Sequence, residues 1–354
     1  MELSKILIDL NNQSQTYEHS IEPLVRKQTG CYYTSLELTK KMMKDLVFSL
    51  SNYERNHLYE KTFFEPCVGT GNFVFAYLLI CYEMNYSHRE YERLINNIYV
   101  CDINQSAISI YKKNLSNFVK KLFNIDLDEK YFKSHIGGAL LFNVSANSID
   151  YIGYGNYFPE IYNSGGFDII VTNPPYKNLK AESGHYHNKE LYIEDQKKYA
   201  QIAVLSKEHF TYSTYGVLNT YKLFVEEIID KYASKNAICS LLIPASILSD
   251  KTCFQLRNHI LASCRIAHIQ MLPEKNNYID ASQALCALLL HKGKVNNETI
   301  IEGNIKDSTN NRYNCIYNLG ILSHRYCANL SYGFPEEFLQ SIAIFRNDIV
   351  RKEK

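Results

Sequence analysis

The tetrapeptide Asn-Pro-Pro-Tyr at residues 173–176 is the pattern in this chain that most directly suggests chemistry. It follows an apolar segment, residues 167–172, that reads as a buried strand. Two prolines remove two N–H donors and stiffen the backbone, so the Asn173 side chain and the Pro174 carbonyl form a fixed pair of acceptors. An amino group bonded to two acceptors is drawn towards tetrahedral geometry, and its lone pair can then attack a methyl sulfonium. Tyr176 offers a flat face on which a nucleobase can stack.

A glycine-rich turn earlier in the chain has the features of a cofactor-binding turn. Residues 65–72 read Glu-Pro-Cys-Val-Gly-Thr-Gly-Asn and separate a short predicted strand, 61–64, from an apolar helix predicted for 73–82. Glycines here let the backbone approach a ligand at the carboxyl end of a sheet. The turn lacks both the GxGxxG fingerprint and a Walker lysine, which favours a cofactor without a pyrophosphate.

An acidic residue ends the next predicted strand. Asp102 follows the apolar residues 98–101, and a carboxylate at this position can accept hydrogen bonds from both hydroxyls of a ribose. The glycine-rich turn alone is equally compatible with an ordinary tight connection. The alternative for the tetrapeptide, a proline-rich turn that merely ends a strand, is disfavoured because strand, tetrapeptide and an upstream cofactor turn occur together. Turn and acid together favour an adenosine-type cofactor.

Strand and helix alternate along the chain, which predicts an α/β fold with a doubly wound, mostly parallel sheet. The last two predicted strands are too close for a helical crossover, so they should pair antiparallel. Residues 143–166 read as an inserted loop. The polar residues 177–207 read either as a mobile loop that closes on DNA or as a solvated loop. Further helices are predicted near 35–51, 105–121, 219–234 and 254–263, and strands near 135–142, 237–243, 266–272 and 284–291.

Charge and composition limit the partners of the chain. Its 354 residues carry 38 Lys and Arg against 37 Asp and Glu, a net charge of +1. A protein that grips duplex DNA alone usually has a basic excess, so DNA contacts must be clustered locally or supplied by a partner. The 10 Cys have no zinc-type spacing, so we expect reduced thiols and no metal. With neither a signal peptide nor an apolar run that spans a bilayer, we expect no membrane and a cytoplasmic location in a bacterium.

The order of these motifs resembles that of the gamma-group N6-adenine DNA methyltransferases of bacterial restriction–modification systems, to which the Taq methyltransferase belongs. The resemblance covers about residues 29–292 and is carried by six segments. Residues 29–34 look like motif X, 64–71 like motif I, Asp102 like the acid of motif II and 173–176 like motif IV, while 221–226 and 242–257 look like the second half of that family.

The resemblance implies a Rossmann-like fold and transfer of methyl from S-adenosyl-L-methionine to N6 of an adenine flipped out of double-stranded DNA. It implies an N-terminal extension at 1–28, a catalytic domain at 29–292, and a C-terminal tail at 293–354 that connects to or begins a target-recognition module. Its catalytic residues are Asn173, Pro174, Pro175 and Tyr176, and its cofactor-binding residues are Tyr33, Thr34, Glu65, Pro66, Gly69, Gly71 and Asp102.

Three features depart from that family. Motif III usually supplies an Asp for the cofactor adenine, but residues 137–140 read Gly-Gly-Ala-Leu, with Gly138 in the middle. Motif VIII usually places a second aromatic on the flipped base, and Tyr278 is the candidate, with an ordinary surface-loop tyrosine as the alternative. Only about 60 residues follow the catalytic segment, which is short for a recognition domain.

Several other functions remain possible from the sequence. Cytosine N4 methylation uses nearly the same site, although Asn before Pro-Pro-Tyr in this motif order favours adenine. Protein glutamine methyltransferases share the tetrapeptide, but motif X and the long segment after the tetrapeptide fit them poorly. A modification subunit that depends on a separate specificity subunit would explain the neutral charge. No Pro-Cys pair lies near the tetrapeptide, which argues against cytosine C5 chemistry, and Asp168 is expected to be structural.

Overall fold

The computed structural model of the chain describes most of its first 294 residues and two short segments beyond them. The described residues divide into two compact units. The first lies within residues 1–177, 231–240 and 277–280, and the second within 178–230, 241–276 and 281–354. The described residues are 2–21, 32, 34–136, 142–144, 149–151, 156–181, 188–248, 250–272, 274, 278–279, 283–294, 299–302 and 315–317.

Among the described residues, nine strands form one sheet, and two further strands pair separately. The nine are β1 Phe63–Glu65, β2 Ile98–Asp102, β3 Lys133–Ile136, β6 Phe167–Thr172, β7 Ala233–Pro244, β8 Cys264–Leu272, β9 Leu285–Lys292, β10 Thr299–Glu302 and β11 Cys315–Tyr317; the separate pair is β4 Phe142–Val144 and β5 Ile149–Tyr151. The sheet order is β11-β10-β8-β9-β7-β6-β1-β2-β3. β1 pairs parallel with both β2 and β6, and β2 pairs parallel with β3.

The described part of the chain contains ten α-helices, which connect and flank the strands. They are α1 Glu2–Ser20, α2 Leu36–Phe48, α3 Asn52–Asn56, α4 Asn72–Tyr82, α5 His88–Asn96, α6 Gln105–Phe123, α7 Pro159–Ser164, α8 Lys189–His209, α9 Thr220–Glu227 and α10 Phe254–Ser263. Side-chain oxygens cap several of these helices at their N-termini, as Ser35 does for α2 and Asn104 for α6. None of the described helices combines the length and the apolar character needed to cross a bilayer.

The core of the first unit lies behind the glycine-rich turn. Every residue of α4 from Asn72 to Cys81 is buried, as expected for a helix that is apolar on all sides. Phe63 of β1 stacks on Tyr77 of α4 with 4.5 Å between ring centroids, and Phe64 stacks on Phe167 of β6 at 4.3 Å. The turn between β1 and α4 is therefore anchored at both ends in packed aromatic side chains.

The doubly wound, mostly parallel sheet predicted from the sequence is confirmed. β8 and β9 pair antiparallel, with Cys264 opposite Lys292 and Leu272 opposite Leu285, as their short connection requires. The sheet then continues beyond the predicted last strand, because β10 pairs parallel with β8 and β11 antiparallel with β10. Residues of the predicted C-terminal tail thus contribute two strands to the sheet.

Two segments expected to be loops contain regular structure. Within 177–207, residues from Lys189 onwards form α8, so a loop throughout this segment is wrong. Asn188 caps the helix by accepting from the Glu190 N–H at 2.7 Å, and Tyr199, Ile202 and Ser206 form its buried strip. Within 143–166, the structure contains part of β4, β5 and α7. Both segments are rich in polar residues, and the narrow buried strip of α8 is not apparent among them in the sequence.

Asp168 has the structural role expected of it. Its Oδ2 accepts from both the N–H and the hydroxyl of Thr62, at 3.0 and 3.1 Å, and Lys61 Nζ lies 3.9 Å from its Oδ1. These contacts join the start of β6 to the residues just before β1. Asp168 therefore lies at the amino end of its strand, whereas Asn173 follows the carboxyl end.

Candidate active site

Asn173 follows β6, and its side-chain amide has a fixed orientation. Nδ2 donates to the Tyr32 carbonyl oxygen at 3.0 Å and to the Thr34 hydroxyl at 2.8 Å. Because a carbonyl oxygen can only accept, the amide nitrogen must face Tyr32, and Oδ1 must point away from it. The Tyr176 hydroxyl donates to this Oδ1. Asn173 therefore presents an acceptor oxygen on the side of Tyr176.

Two tyrosine rings lie beside the Asn173 amide. The Tyr32 and Tyr176 rings are nearly parallel, with 6.0 Å between their centroids and 22° between their planes. The Tyr32 carbonyl and the Tyr176 hydroxyl both bind Asn173, so the amide and the two rings form one cluster. The arrangement combines a hydrogen-bond acceptor with flat apolar faces, which suits a planar ligand that carries an amino group.

Thr34 connects this cluster to the glycine-rich turn. Its hydroxyl accepts from Asn173, and its carbonyl accepts from Asn72 Nδ2 at 2.8 Å. The next N–H, that of Ser35, donates to the Tyr278 carbonyl at 2.9 Å. Thr34 is buried, and these three contacts fix it to the tetrapeptide, to the first residue of α4 and to Tyr278. The described part of the segment that resembles motif X therefore lies between the two predicted sites.

The glycine-rich turn bends through two residues with positive φ. Gly69 has φ of 51° and Gly71 has φ of 101°, a region that favours glycine. The Gly69 N–H donates to Asp102 Oδ2 at 2.8 Å, while the Gly71 N–H donates to the Val68 carbonyl at 2.8 Å. The backbone of the turn is thereby tied to the end of β2, and Gly71 forms the N-cap of α4.

Asp102 is held by two backbone donors, one to each oxygen. Gly69 N–H binds Oδ2, and Asn104 N–H binds Oδ1 at 2.8 Å. Burial raises the pKa of the Asp102 carboxyl above its ordinary value, and these two N–H groups partly oppose the rise. Each carboxylate oxygen retains further lone pairs, so Asp102 can still accept from hydroxyl groups of a ligand.

Glu65 is a buried acid at the end of β1. It is 2% exposed, and its Oε2 has no hydrogen-bond partner among the described residues. Burial raises the pKa of the Glu65 carboxyl well above its ordinary value, and the nearby Asp102 raises it further, while the Val74 N–H opposes the rise. Two acids in one buried region favour binding of a cation, because a positive charge would lower the cost of ionising both.

The remaining predicted residues fall into three groups. Pro66 and Pro174 are buried and Pro175 is partly buried, in positions where they stiffen the turn and the tetrapeptide. Tyr33 and the Gly137–Leu140 segment that matches motif III lie outside the described residues. Tyr278 is only 8% exposed, so the alternative of an ordinary surface-loop tyrosine is wrong.

Among the described residues, no group of three or more His, Cys, Asp or Glu side chains could hold a metal ion.

Three residues of this region were not predicted as site residues. The carbonyl and ring of Tyr32 lie against the tetrapeptide, and Ser14 of α1 bonds to the glycine-rich turn. Ile103, directly after Asp102, leaves 63% of its surface exposed. Ile103 could have been identified from the sequence, because it is an apolar residue directly after the predicted ribose-binding acid. The contacts of Ser14 and Tyr32 depend on tertiary structure, and no local pattern predicts them.

Comparisons with known proteins agree with this architecture. A cryo-EM structure of a DrdV–DNA complex superimposes with a TM-score of 0.59 and 14% identity, covering 84% of this chain and 30% of that chain. A modification subunit attributed to a type I restriction enzyme from Vibrio vulnificus YJ016 gives 0.52 and 14%, covering 80% and 49%. A chain of a type I restriction–modification system gives 0.51 and 13%, covering 98% and 57%. At these identities the likeness shows the fold, and the chain spans less than two thirds of each of these proteins.

The sequence also matches a family model. No curated protein sequence matches the chain. The model of the Eco57I restriction-modification methylase family matches residues 96–277, slightly more than half of the chain. The matched residues include Asp102 and the Asn-Pro-Pro-Tyr tetrapeptide. The sheet described above is the Rossmann-like sheet of S-adenosylmethionine-dependent methyltransferases. The chain therefore belongs to the Eco57I restriction-modification methylase family.

Proposed function

We propose that this chain transfers a methyl group from S-adenosyl-L-methionine to N6 of an adenine flipped out of double-stranded DNA, as part of a restriction–modification system. The observation that carries this proposal is the fixed orientation of the Asn173 amide. Its nitrogen is committed to Tyr32 and Thr34, so Oδ1 faces Tyr176 and has a second lone pair that can accept a hydrogen from an exocyclic amine. The membership of the chain in a restriction-modification methylase family supports the same reaction.

The residues around the glycine-rich turn fit the proposed cofactor. S-adenosyl-L-methionine supplies an activated methyl group on a positively charged sulfonium. Glu65, whose buried Oε2 has no partner in the part of the chain that the structure describes, would bind near its positive charges, and Asp102 would accept from the ribose hydroxyls. A methyl group at Gly69 would meet no atom within 4 Å, so space is open beside this backbone for a ligand. Thr34, Tyr33, Pro66 and Gly71 complete the proposed cofactor site.

The residues of the tetrapeptide would position the target base and polarise its amine. Asn173 Oδ1 and the Pro174 carbonyl accept the two amine hydrogens, while the base stacks on Tyr176. A carboxamide oxygen has two lone pairs, so Oδ1 can bind the amine while it accepts from the Tyr176 hydroxyl or after that bond breaks. Pro175 stiffens the backbone of this acceptor pair. Positioning and electrostatics carry the reaction, and no covalent bond to the protein forms.

A second aromatic residue would contact the flipped base. Tyr278 remains our proposal for that role, because its carbonyl binds the N–H of Ser35, next to Thr34. Thr34 in turn binds the catalytic amide. Tyr278 is therefore two hydrogen-bonded steps from Asn173, although it lies more than 100 residues away along the chain.

A partner-dependent modification subunit is the second candidate function. The net charge of +1 supports it, because neutral chains bind phosphates weakly unless their basic residues are clustered. The three structural neighbours described above are longer proteins, of which this chain spans 30%, 49% and 57%. In this reading the chain binds the cofactor and carries the catalytic residues, and a separate specificity subunit or domain reads the DNA.

The test is transfer of labelled methyl from S-adenosyl-L-methionine to unmethylated bacterial DNA, with the methylated nucleosides identified by chromatography. We expect label in N6-methyladenine and a loss of at least about 100-fold in kcat with Asn173→Ala, as for other preorganised polar groups that stabilise a transition state. Asn96→Ala, at the end of α5, is the matched control and should keep the activity.

Each other result has a defined meaning. Label in N4-methylcytosine would replace adenine by cytosine as the target. Binding of the cofactor without transfer would favour the partner-dependent subunit, and addition of the specificity subunit should then restore transfer. If the purified chain fails to bind the cofactor, both candidate functions are wrong.

A further inference from the structure

Helix α1 lies outside residues 29–292, the segment that resembles the gamma-group methyltransferases, yet one of its serines contacts the glycine-rich turn. Ser14 Oγ lies 2.6 Å from Thr70 Oγ1 and donates to Asn72 Oδ1 at 3.2 Å. Ser14 is 1% exposed, and Leu10, one helical turn earlier, is also buried. Leu10 and Ser14 therefore lie on the same face of α1, and this face contains one apolar and one polar buried residue.

The Ser14 hydroxyl completes a continuous chain of hydrogen bonds. Because Ser14 donates to Asn72 Oδ1, the Thr70 hydroxyl must donate to Ser14, since a hydroxyl has a single hydrogen. Asn72 Nδ2 then donates to the Thr34 carbonyl. Both ends of the Asn72 side chain are thus bound, one to α1 and the other to the segment that holds the Asn173 amide.

We propose that Ser14 is a positioning residue for the cofactor turn, and that α1 is a brace without which the turn does not hold its binding geometry. The proposal rests on the function proposed above. Ser14 joins the two residues, Thr70 and Asn72, that flank the N-cap Gly71. At Gly71 the chain has positive φ, and no side chain of its own fixes the bend. Ser14, which lies outside the turn, supplies that restraint through its bonds to the Thr70 hydroxyl and the Asn72 amide.

Loss of the Ser14 hydroxyl would affect the turn more than the catalytic amide. Asn72 Oδ1 would lose its donor in a buried position, where an unsatisfied group is costly, and the turn would rearrange to satisfy it. Thr34 would still be held through its own contact with Asn173 and through the adjacent bond from Ser35 N to the Tyr278 carbonyl. Ser14 should therefore govern affinity for the cofactor.

The experiment compares three variants of the full chain by two measurements. Titration calorimetry gives the Kd for S-adenosyl-L-methionine, and hydrogen–deuterium exchange without cofactor reports on the amides of residues 68–74. Ser14→Ala removes the hydroxyl, and Ser14→Cys retains most of the volume with a weaker donor. Thr16→Ala is the matched control, because Thr16 is exposed on the same helix and its hydroxyl donates to the Asn12 carbonyl within that helix.

We expect Ser14→Ala to raise the Kd about tenfold, the effect of losing one buried hydrogen bond, and to speed exchange in residues 68–74. Ser14→Cys should show a large part of both effects, and Thr16→Ala neither. The proposal is wrong if Ser14→Ala matches Thr16→Ala in both measurements, or if Ser14→Cys restores wild-type affinity, which would assign the effect to packing. If Ser14→Ala does not fold, the Cys variant decides.

The same data separate this proposal from the proposed function. A wild-type chain that does not bind S-adenosyl-L-methionine would contradict the proposed function. The exchange measurement, made without cofactor, would then still decide whether Ser14 braces the turn. Faster exchange in Ser14→Ala would support the brace, and unchanged exchange would refute it.

Discussion

Gly69 and Gly71 have positive φ in the same turn, but an added methyl group would meet different surroundings at the two positions. A Cβ at Gly69 would find nothing within 4 Å, whereas a Cβ at Gly71 would lie 2.6 Å from Tyr111 Cδ2 and 3.0 Å from a ring carbon of Phe75. Gly69→Ala should cost about 1 kcal/mol of stability, the left-handed backbone penalty alone. Gly71→Ala should cost about 2–4 kcal/mol, because overpacking adds to that penalty.

Urea unfolding of the two alanine variants checks this difference. Gly69→Ala should remain folded and lose cofactor affinity, because its methyl group would occupy the open space beside Asp102. Equal destabilisation of the two variants would mean that backbone strain dominates and that Tyr111 moves aside without cost.

Glu65 should make the stability of the ligand-free chain depend on pH. Its pKa in the folded chain lies well above the ordinary value, because the carboxyl is buried and close to Asp102. The folded state therefore holds the proton more tightly than the unfolded state does. The stabilising contribution is complete below the unfolded pKa, about 4.3, and is lost as pH rises through the raised folded pKa.

Glu65→Gln removes this titrating group while it keeps the shape of the side chain. We expect the free energy of unfolding of the wild type to fall relative to that of Glu65→Gln as the pH rises from the ordinary carboxyl pKa, about 4.3, towards the raised pKa of the folded chain. Burial also raises the pKa of Asp102, so Asp102 contributes to the pH dependence in the same direction in both proteins. Parallel pH profiles for the two proteins would show that Glu65 is already ionised in the folded chain.

The chemistry of single residues was predictable where it depends on neighbours in the sequence. Asp102 follows a strand and Asn173 precedes two prolines, so the sequence alone predicts their positions at strand ends. The partners of Ser14 lie 56 and 58 residues away, and Tyr32 meets Asn173 across 141 residues. Such contacts depend on the packing of whole elements, and local spacing contains no information about them.

At the scale of elements, Glu226 of α9 holds the chain that leaves α8. Its carboxylate accepts from the N–H groups of Thr211 at 2.6 Å, of Tyr212 at 3.1 Å and of Ser213 at 2.7 Å. Glu226 is buried and belongs to the segment 221–226 that resembles the second half of the methyltransferase family. The residues that carry this resemblance therefore include Glu226, which joins α9 to the chain after α8 within the second unit.

Glu226→Gln should destabilise the chain by about 2 kcal/mol, because an amide offers one acceptor oxygen where the carboxylate offers two charged ones. Glu208→Gln, at an exposed position on α8, should change stability by less than about 0.5 kcal/mol. Thermal unfolding and proteolysis near residues 210–214 measure the effect. An equal response of the two variants would show that the bonds of Glu226 to residues 211–213 do not stabilise the chain.

The predictability of each element follows from how its apolar residues are arranged. α4 is apolar on every side and β6 is a continuous apolar run, so both were predicted within one residue of their bounds. The antiparallel pairing of β8 with β9 was predictable because the segment that connects them is too short for a helical crossover. The helix α8 buries only a narrow strip among charged residues, and its pattern resembled that of a solvated loop.

At the scale of the whole molecule, charge limits what the chain can do alone. The chain has 38 basic and 37 acidic residues, so its net charge provides little long-range attraction for DNA. In the second unit, Lys180 and Lys207 line a pocket together with Tyr215 and Gln255, which places two cations near an aromatic ring. Basic and aromatic groups together suit a nucleic-acid backbone, so these lysines are candidates for local phosphate contacts.

Affinity for duplex DNA should therefore depend only weakly on salt when the chain is alone. Each phosphate contact contributes about −0.9 to the slope of log K against log salt, so a few local contacts predict a slope of about −2 to −4. Fluorescence anisotropy with a labelled duplex measures the slope. Lys180→Ala and Lys207→Ala should each reduce its magnitude by about 1, whereas Lys113→Ala on α6 of the first unit should leave it unchanged. A slope near −8 would show that the chain carries an extensive DNA surface of its own, and the partner-dependent reading would then be wrong.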